Sequence, residues 1–299
     1  MSSPTVLSPE AFLPLNKKLL RRDTPRYRRR KKLLSDPLFL IALFVLLSIM
    51  TFAVVAPVVS PYSYQKTELA KMNMAPNLSH WFGTDELGRD LLVRVAYGAR
   101  LSMMIGVLAA SLDLILGVSL GSLSAMMGGK VDYLLMRLMD ILYSLPHMLV
   151  VIIISVALGT GLTSIILSIA FLAWIPMARI IRADVRTIMQ KDFLFSAEAL
   201  GVSRLQILKK HILPNAVGSI IVTATMTIPK AIFLEAFLSF LGLGVEPPLA
   251  SWGTIAAEAV SFIEYHPYRL FIPAGMMSLT IFSLNLLSDR LQKKLILKV

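Results

Sequence analysis

Long uncharged runs divide the chain. Pro37 to Ser60 carries no Asp, Glu, Lys or Arg, and as a helix rising about 1.5 Å per residue it is long enough to cross a hydrocarbon core of about 30 Å. A first membrane span is therefore expected over 37–58. A second covers 98–127, interrupted by Arg100 near its start and Asp113 near its middle. Ile141 to Ala178 is again uncharged and about twice the length of one span. The Gly159–Thr160–Gly161 turn divides it into helices over 138–158 and 162–181. A fifth span is read over 212–240, with 228–245 either one bent helix or a helix followed by an interfacial segment. A sixth covers 270–288. The expected fold class is an all-α polytopic membrane protein with about six transmembrane helices.

The polar stretches between these runs alternate in charge. Residues 59–95 set Lys66, Lys71, Arg89 and Arg94 against Glu68, Asp85, Glu86 and Asp90. The segment 246–269 has Glu246, Glu258 and Glu264 against Arg269. Both suit the outer side. In 179–211 the basic residues Arg179, Arg182, Arg186, Lys191, Arg204, Lys209 and Lys210 outnumber Asp184, Asp192 and Glu198, which suits the cytoplasm. Six spans with both termini cytoplasmic place every Lys/Arg-rich segment on one side. The resulting organisation is a basic tail over 1–36, a first transmembrane helix over 37–58 and an extracytoplasmic segment over 59–95. A five-helix core over 96–290 follows, then a short tail over 291–299. Leu200, Leu205, Leu208 and Ile212 are spaced for short amphipathic helices within 179–211.

Composition sharpens this picture. The 299 residues are 56% hydrophobic and 16% charged, against about a quarter charged in a typical soluble chain. The net charge of +12 does not point to nucleic acid. Ten basic residues, from Lys17 to Lys32, lie directly ahead of the first span, where they hold the N-terminus inside and face anionic lipid. The first run is too long for a signal peptide and lacks an Ala-x-Ala-like cleavage site. Cysteine is absent, which removes disulfides and thiolate chemistry.

Catalytic chemistry is poorly supplied. His80, His147, His211 and His266 lack metal-ligand spacing, and neither a Gly-x-x-x-x-Gly-Lys-Ser/Thr phosphate loop nor a Gly-x-Ser-x-Gly elbow occurs. No catalytic site, metal or cofactor is expected in this chain. Ionisable residues within apolar runs stand out instead, because charge in hydrocarbon is costly and faces a cavity or a partner. Asp113 reads as lining a path or bonding to another helix. Lys230 and Glu235 are five residues apart, a poor pairing distance on a helix. Each reads as snorkelling, contacting a partner, lining the path, or making a structural polar contact. Trp252, between glycines and prolines, reads as a packing or interfacial aromatic, with substrate contact as the lesser reading. Gly117 and Gly121, extended by Ala125, allow close helix packing, first of all within the chain.

Gly201, followed by Leu213 and Pro214, resembles the Glu-Ala-Ala-x-x-x-Gly-x9-Ile-x-Leu-Pro signature of ABC importer permeases. Ala199-Leu200-Gly201-Val202-Ser203 and His211-Ile212-Leu213-Pro214-Asn215-Ala216 are similar to the second permease of the oligopeptide, dipeptide and nickel importers. The block from His80 to Asp90, and Glu235 to Gly244 with Ser251-Trp252-Gly253, resemble the same branch. The positions that read Glu-Ala-Ala in the signature are Phe195, Ser196 and Ala197 here, and the Ile position is His211, so a carboxylate expected at the interface with the ATPase is missing.

The resemblance implies a type I ABC importer permease in a bacterial or archaeal cell membrane. It implies a coupling loop over 182–211, and coupling to an ATPase through Ser196, Ala197, Glu198, Ala199, Leu200, Gly201, Leu213 and Pro214. It also implies a second homologous permease, two ATP-binding subunits that use ATP and Mg, and an extracytoplasmic substrate-binding protein. Peptides are the expected substrate, with nickel or another small solute as the alternative. An ATP-independent channel, a secondary transporter or a membrane scaffold are the readings from other classes.

Overall fold

Asp36 opens the first helix. Its carboxylate accepts from the Leu38 amide at 3.2 Å, and Pro37 follows at the first helical position, where a missing N–H is harmless. This computed structural model describes residues 35–191 and 201–295. Helix α1, Pro37–Val59, keeps Ala42, Leu46, Ile49 and Ala53 buried and turns Phe44, Leu47 and Val58 outward, as a helix facing lipid does. Pro57 lies inside it and has no N–H to give the Ala53 carbonyl one turn back. Arg100 fills that gap, donating Nε to the Ala53 carbonyl at 2.6 Å.

Helix α2, Leu91–Met127, starts earlier than expected because Asp90 caps it, accepting from the Val93 amide at 2.9 Å. It ends at Gly128, whose φ is +60°. The single span expected over 138–158 is two helices. α3, Gly129–Ser144, and α4, His147–Leu158, meet at a 90° bend. The cause is local: Pro146 cannot continue a helical ladder and drives Leu145 into extended backbone, with φ −75° and ψ 142°.

Gly159 and Gly161 both take positive φ and turn the chain into α5, Leu162–Met189. α5 runs through the first part of the loop drawn from 182 and takes Arg182 and Arg186 into a helix. The four-residue α6, Arg204–Ile207, and a π turn, Leu208–Ile212, continue into α7, Leu213–Phe240. The stretch from 228 is thus helical to Phe240, with Pro229 inside. α8, Trp252–Ala259, is short and opens with a Ser251–Thr254 capping box. α9, Tyr268–Leu295, closes the described chain. Among the described residues five helices are long and apolar enough to cross a membrane, or six with the bent α3–α4 pair counted as one span.

α5 lies against α2 at van der Waals limits. A side chain on Gly117 would stand 2.5 Å from Met177 Cβ, and one on Gly121 2.4 Å from the Ala178 carbonyl oxygen. The glycine pair therefore serves packing within the chain, where close approach replaces the hydrophobic drive that lipid does not provide. Ile105 and Ala109 of α2, Val151 of α4, Ile165 and Ile169 of α5, and Ala231 and Leu234 of α7 form one core cluster. Asp36 ion-pairs with Lys294 at 3.1 Å, which puts the start of α1 beside the end of α9.

Candidate functional site: the cytoplasmic coupling segment and a membrane cavity

Of the proposed coupling residues, Ser196, Ala197, Glu198, Ala199 and Leu200 lie outside the described residues. Gly201 is described, with φ +80° and no atom within 4 Å of where a Cβ would stand. Its contribution is therefore a left-handed turn and not a close approach within this chain. The chain leaves that turn into Ser203, whose hydroxyl caps α6. Ile207 and Ile212 are buried against Ala125 of α2, Met177, Ile181, Val185 and Ile188 of α5, and Ala216 of α7. The segment is thus anchored on the ends of three helices, and Leu213 and Pro214 open α7 directly behind it. Movement applied at 201–212 reaches α7 without a flexible joint, because π turn and helix are continuous.

The adjoining surface is tied by charge. Asp132 of α3 accepts from Ser124 Oγ, from both Arg182 Nε and an Arg182 terminal nitrogen, and from Arg186 at 2.5 Å. Arg179 donates to Asp140 at 2.8 Å and lies over the Tyr143 ring. The basic residues that marked a cytoplasmic loop instead hold α5 to α3.

The intramembrane polar residues divide by role. Asp113 is fully buried and accepts from Thr227 Oγ1 of α7 at 2.5 Å, while its Oδ1 has no partner. Glu235 is fully buried too. It accepts from Ser251 at 2.5 Å, Ser239 at 2.8 Å and Ser102 at 3.2 Å, joining α7 to α8 and α2. Trp252 is buried beside it, donating its indole N–H to the Val95 carbonyl at 3.0 Å and its amide to Ser102 at 3.2 Å. Glu235 and Trp252 are thus structural contacts. Lys230 differs: it is exposed and lines a cavity of about 540 Å³ between α3–α4, α5 and α7, with Tyr143, His147, Pro176 and Thr227 among its walls. Among the described residues no three His, Asp or Glu side chains converge as a metal site.

Comparison with known proteins decides the family. Residues 117–298 match the model described as binding-protein-dependent transport system inner membrane component. Residues 24–76 match the N-terminal TM domain of oligopeptide transport permease C. The oligopeptide transport system permease protein OppC of Bacillus subtilis is 46% identical over 87% of this chain and 86% of its own length. The dipeptide transport system permease protein DppC of the same organism is 43% identical over 90% of this chain and 83% of its own. The chain belongs to this permease family. A chain of the MetNI methionine ABC transporter superposes with a TM-score of 0.53 at 19% identity, covering 67% of this permease and 94% of that chain, a likeness of fold.

Beyond these residues the permease holds a polar cluster on its other end that sequence reasoning did not assemble. Asp85 accepts from Arg89 Nε at 2.7 Å and Arg94 at 2.5 Å, and also from the Leu87 and Arg89 amides. Arg94 reaches on to Glu258 of α8 at 2.9 Å. Arg269 of α9 donates to Asn73 at 2.8 Å and to Glu86. His80 and Asp90, both buried, are joined at 2.8 Å. Burial pushes the Asp85 carboxyl up, but the Arg94 and Arg89 guanidiniums and the Arg89 amide outweigh it and hold the group below its ordinary range. The block from His80 to Asp90 was visible as a resemblance. Its partners Glu258 and Arg269 lie far away in sequence, and no spacing rule links them.

Proposed function

We propose that this permease carries oligopeptides or dipeptides into a bacterial cell, driven by ATP hydrolysed on partner subunits. The observation that carries the reading is identity above 40%, across more than four-fifths of both chains, to permeases named for oligopeptide and dipeptide transport. The partners in this reading are a second homologous permease, two ATP-binding subunits that use ATP and Mg, and an extracytoplasmic binding protein. The N- and C-termini lie in the cytoplasm. The basic residues ahead of α1 and the Asp36–Lys294 ion pair support one shared side for both ends.

A peptide cannot dissolve in hydrocarbon, so the spans of two permeases enclose a path open to one side at a time. Nucleotide shifts the inward–outward balance only by favouring one state. Contact over 196–201, with Gly201 as the turn, passes the ATPase movement through 204–212 into α7. The test is uptake of labelled peptide by the reconstituted complex. ATP-dependent accumulation is expected, and Gly201→Asp should reduce it at least about tenfold while membrane insertion is unchanged, since a carboxylate would intrude unpaired on the surface proposed to meet the ATPase. Uptake at the unsubstituted rate by Gly201→Asp would remove the coupling role.

A further inference from the structure

Lys230 has a placement that the structural roles above do not use. It lies ten residues before the end of α7 at Phe240, about 15 Å along the helix axis, and so near the middle of a hydrocarbon core of about 30 Å. Ammonium groups at that depth are costly unless something answers their charge. Among the described residues that line the cavity, Lys230 has the only fixed positive charge, and no described carboxylate is paired with it. Asp113 feels that charge but is fully buried and committed through Oδ2 to Thr227. Thr227 and Lys230 are one turn apart on the same face of α7. The Thr227 hydroxyl donates to Asp113, and Thr227 lines the same cavity as Lys230.

The chemistry of the cavity is therefore one cation, the Thr223 and Thr227 hydroxyls, the Tyr143 phenol, one imidazole and otherwise apolar walls. A path for peptides of varied sequence cannot rely on side chains. The parts common to every such cargo are backbone amides, one ammonium and one carboxylate. Resting on the peptide reading, we propose that Lys230 binds the C-terminal carboxylate of the translocating peptide in this cavity, with Asp113 positioning α7 through Thr227. A lipid headgroup has the same anionic chemistry but lies at the membrane surface, about half a bilayer core away.

The intact complex with its binding protein, in phosphatidylcholine liposomes, tests this with labelled tetraalanine and tetraalanine C-terminal amide. Comparing variant with unsubstituted complex for each probe cancels any preference of the binding protein. Lys230→Gln should slow tetraalanine uptake about tenfold, as loss of one charge-assisted hydrogen bond predicts. Lys230→Arg should stay within about twofold, and amide uptake should change less than about twofold in Lys230→Gln. Complex yield should match the unsubstituted protein in both variants.

Equal slowing of both probes, unchanged tetraalanine uptake in Lys230→Gln, or a loss in Lys230→Arg as large as in Lys230→Gln would overturn the proposal. So would an effect that appears only when phosphatidylglycerol is added, which would make a headgroup the partner of Lys230. No uptake of either probe by the unsubstituted complex would instead remove the peptide reading beneath it.

Discussion

Glu235 illustrates how a residue that suggests transport can belong to the scaffold. A carboxylate within an apolar helix invites a functional reading, yet three serine hydroxyls from α7, α2 and the α8 cap converge on it. Removing the acceptor strands those hydroxyls in a buried site, and each unsatisfied group costs about 1–3 kcal/mol. Glu235→Ala is expected to lower the midpoint of thermal denaturation in detergent by several degrees, and Glu235→Gln, which keeps one carbonyl acceptor, by less. Equal midpoints for the unsubstituted permease and Glu235→Ala would contradict this assignment. The distinction between Glu235 and Lys230 was not legible in the sequence. Both are single charges in one apolar run, and only the fold sets serines around one and a cavity beside the other.

Elements were legible where hydrocarbon dictates them and illegible where distant residues do. The uncharged run of α1 permits little besides a span, and Gly159 and Gly161 mark a turn by composition alone. The helix that carries the span read over 98–127 begins at Leu91, capped by Asp90, and distant residues answer the two arginines in its first turns. Asp85 and Glu258 neutralise Arg94, and the Ala53 carbonyl freed by Pro57 accepts from Arg100. The bend between α3 and α4 was present as Leu145-Pro146, but counting apolar length cannot see a break that keeps hydropathy unchanged.

Gly121→Val should destabilise the α2–α5 contact by about 1–3 kcal/mol, because overpacking against backbone cannot relax. Gly275→Ala in α9, with nothing within 4 Å and no positive φ, should be neutral or slightly stabilising; thermal melts of both variants check the contrast. The Asp85 cluster should be acid-sensitive. Asp85 titrates below its ordinary 3.8 when folded, so its contribution is whole above that value and fades as pH falls through the lower folded pKa. The midpoint gap between the unsubstituted permease and Asp85→Asn should be wide at pH 7 and shrink below about pH 4. A gap independent of pH would contradict the role given to Asp85.

As a whole, the permease is a bundle with two differently built ends. The end with Asp85, Arg94, Glu258 and Arg269 clamps α2, α8 and α9 together, and the opposite end carries Gly201, α6 and the π turn into α7. Transport by ATPase movement requires these ends to face opposite sides of the membrane, with the α6–α7 end inside. The expectation that the α6–α7 end is inside rests on the charge pattern, and the residues proposed for coupling from Ser196 to Leu200 lie outside the described residues. The chain contains no cysteine, so single cysteines report their side without background. Leu78 is 98% exposed in the segment that leads to α2, and Lys130 is exposed in the first turn of α3 at the opposite end. A membrane-impermeant maleimide applied to spheroplasts should label Leu78→Cys at once and Lys130→Cys only after permeabilisation. Labelling of Lys130→Cys in sealed spheroplasts, with Leu78→Cys protected, would invert the permease and leave the coupling segment on the side where no ATPase can reach it.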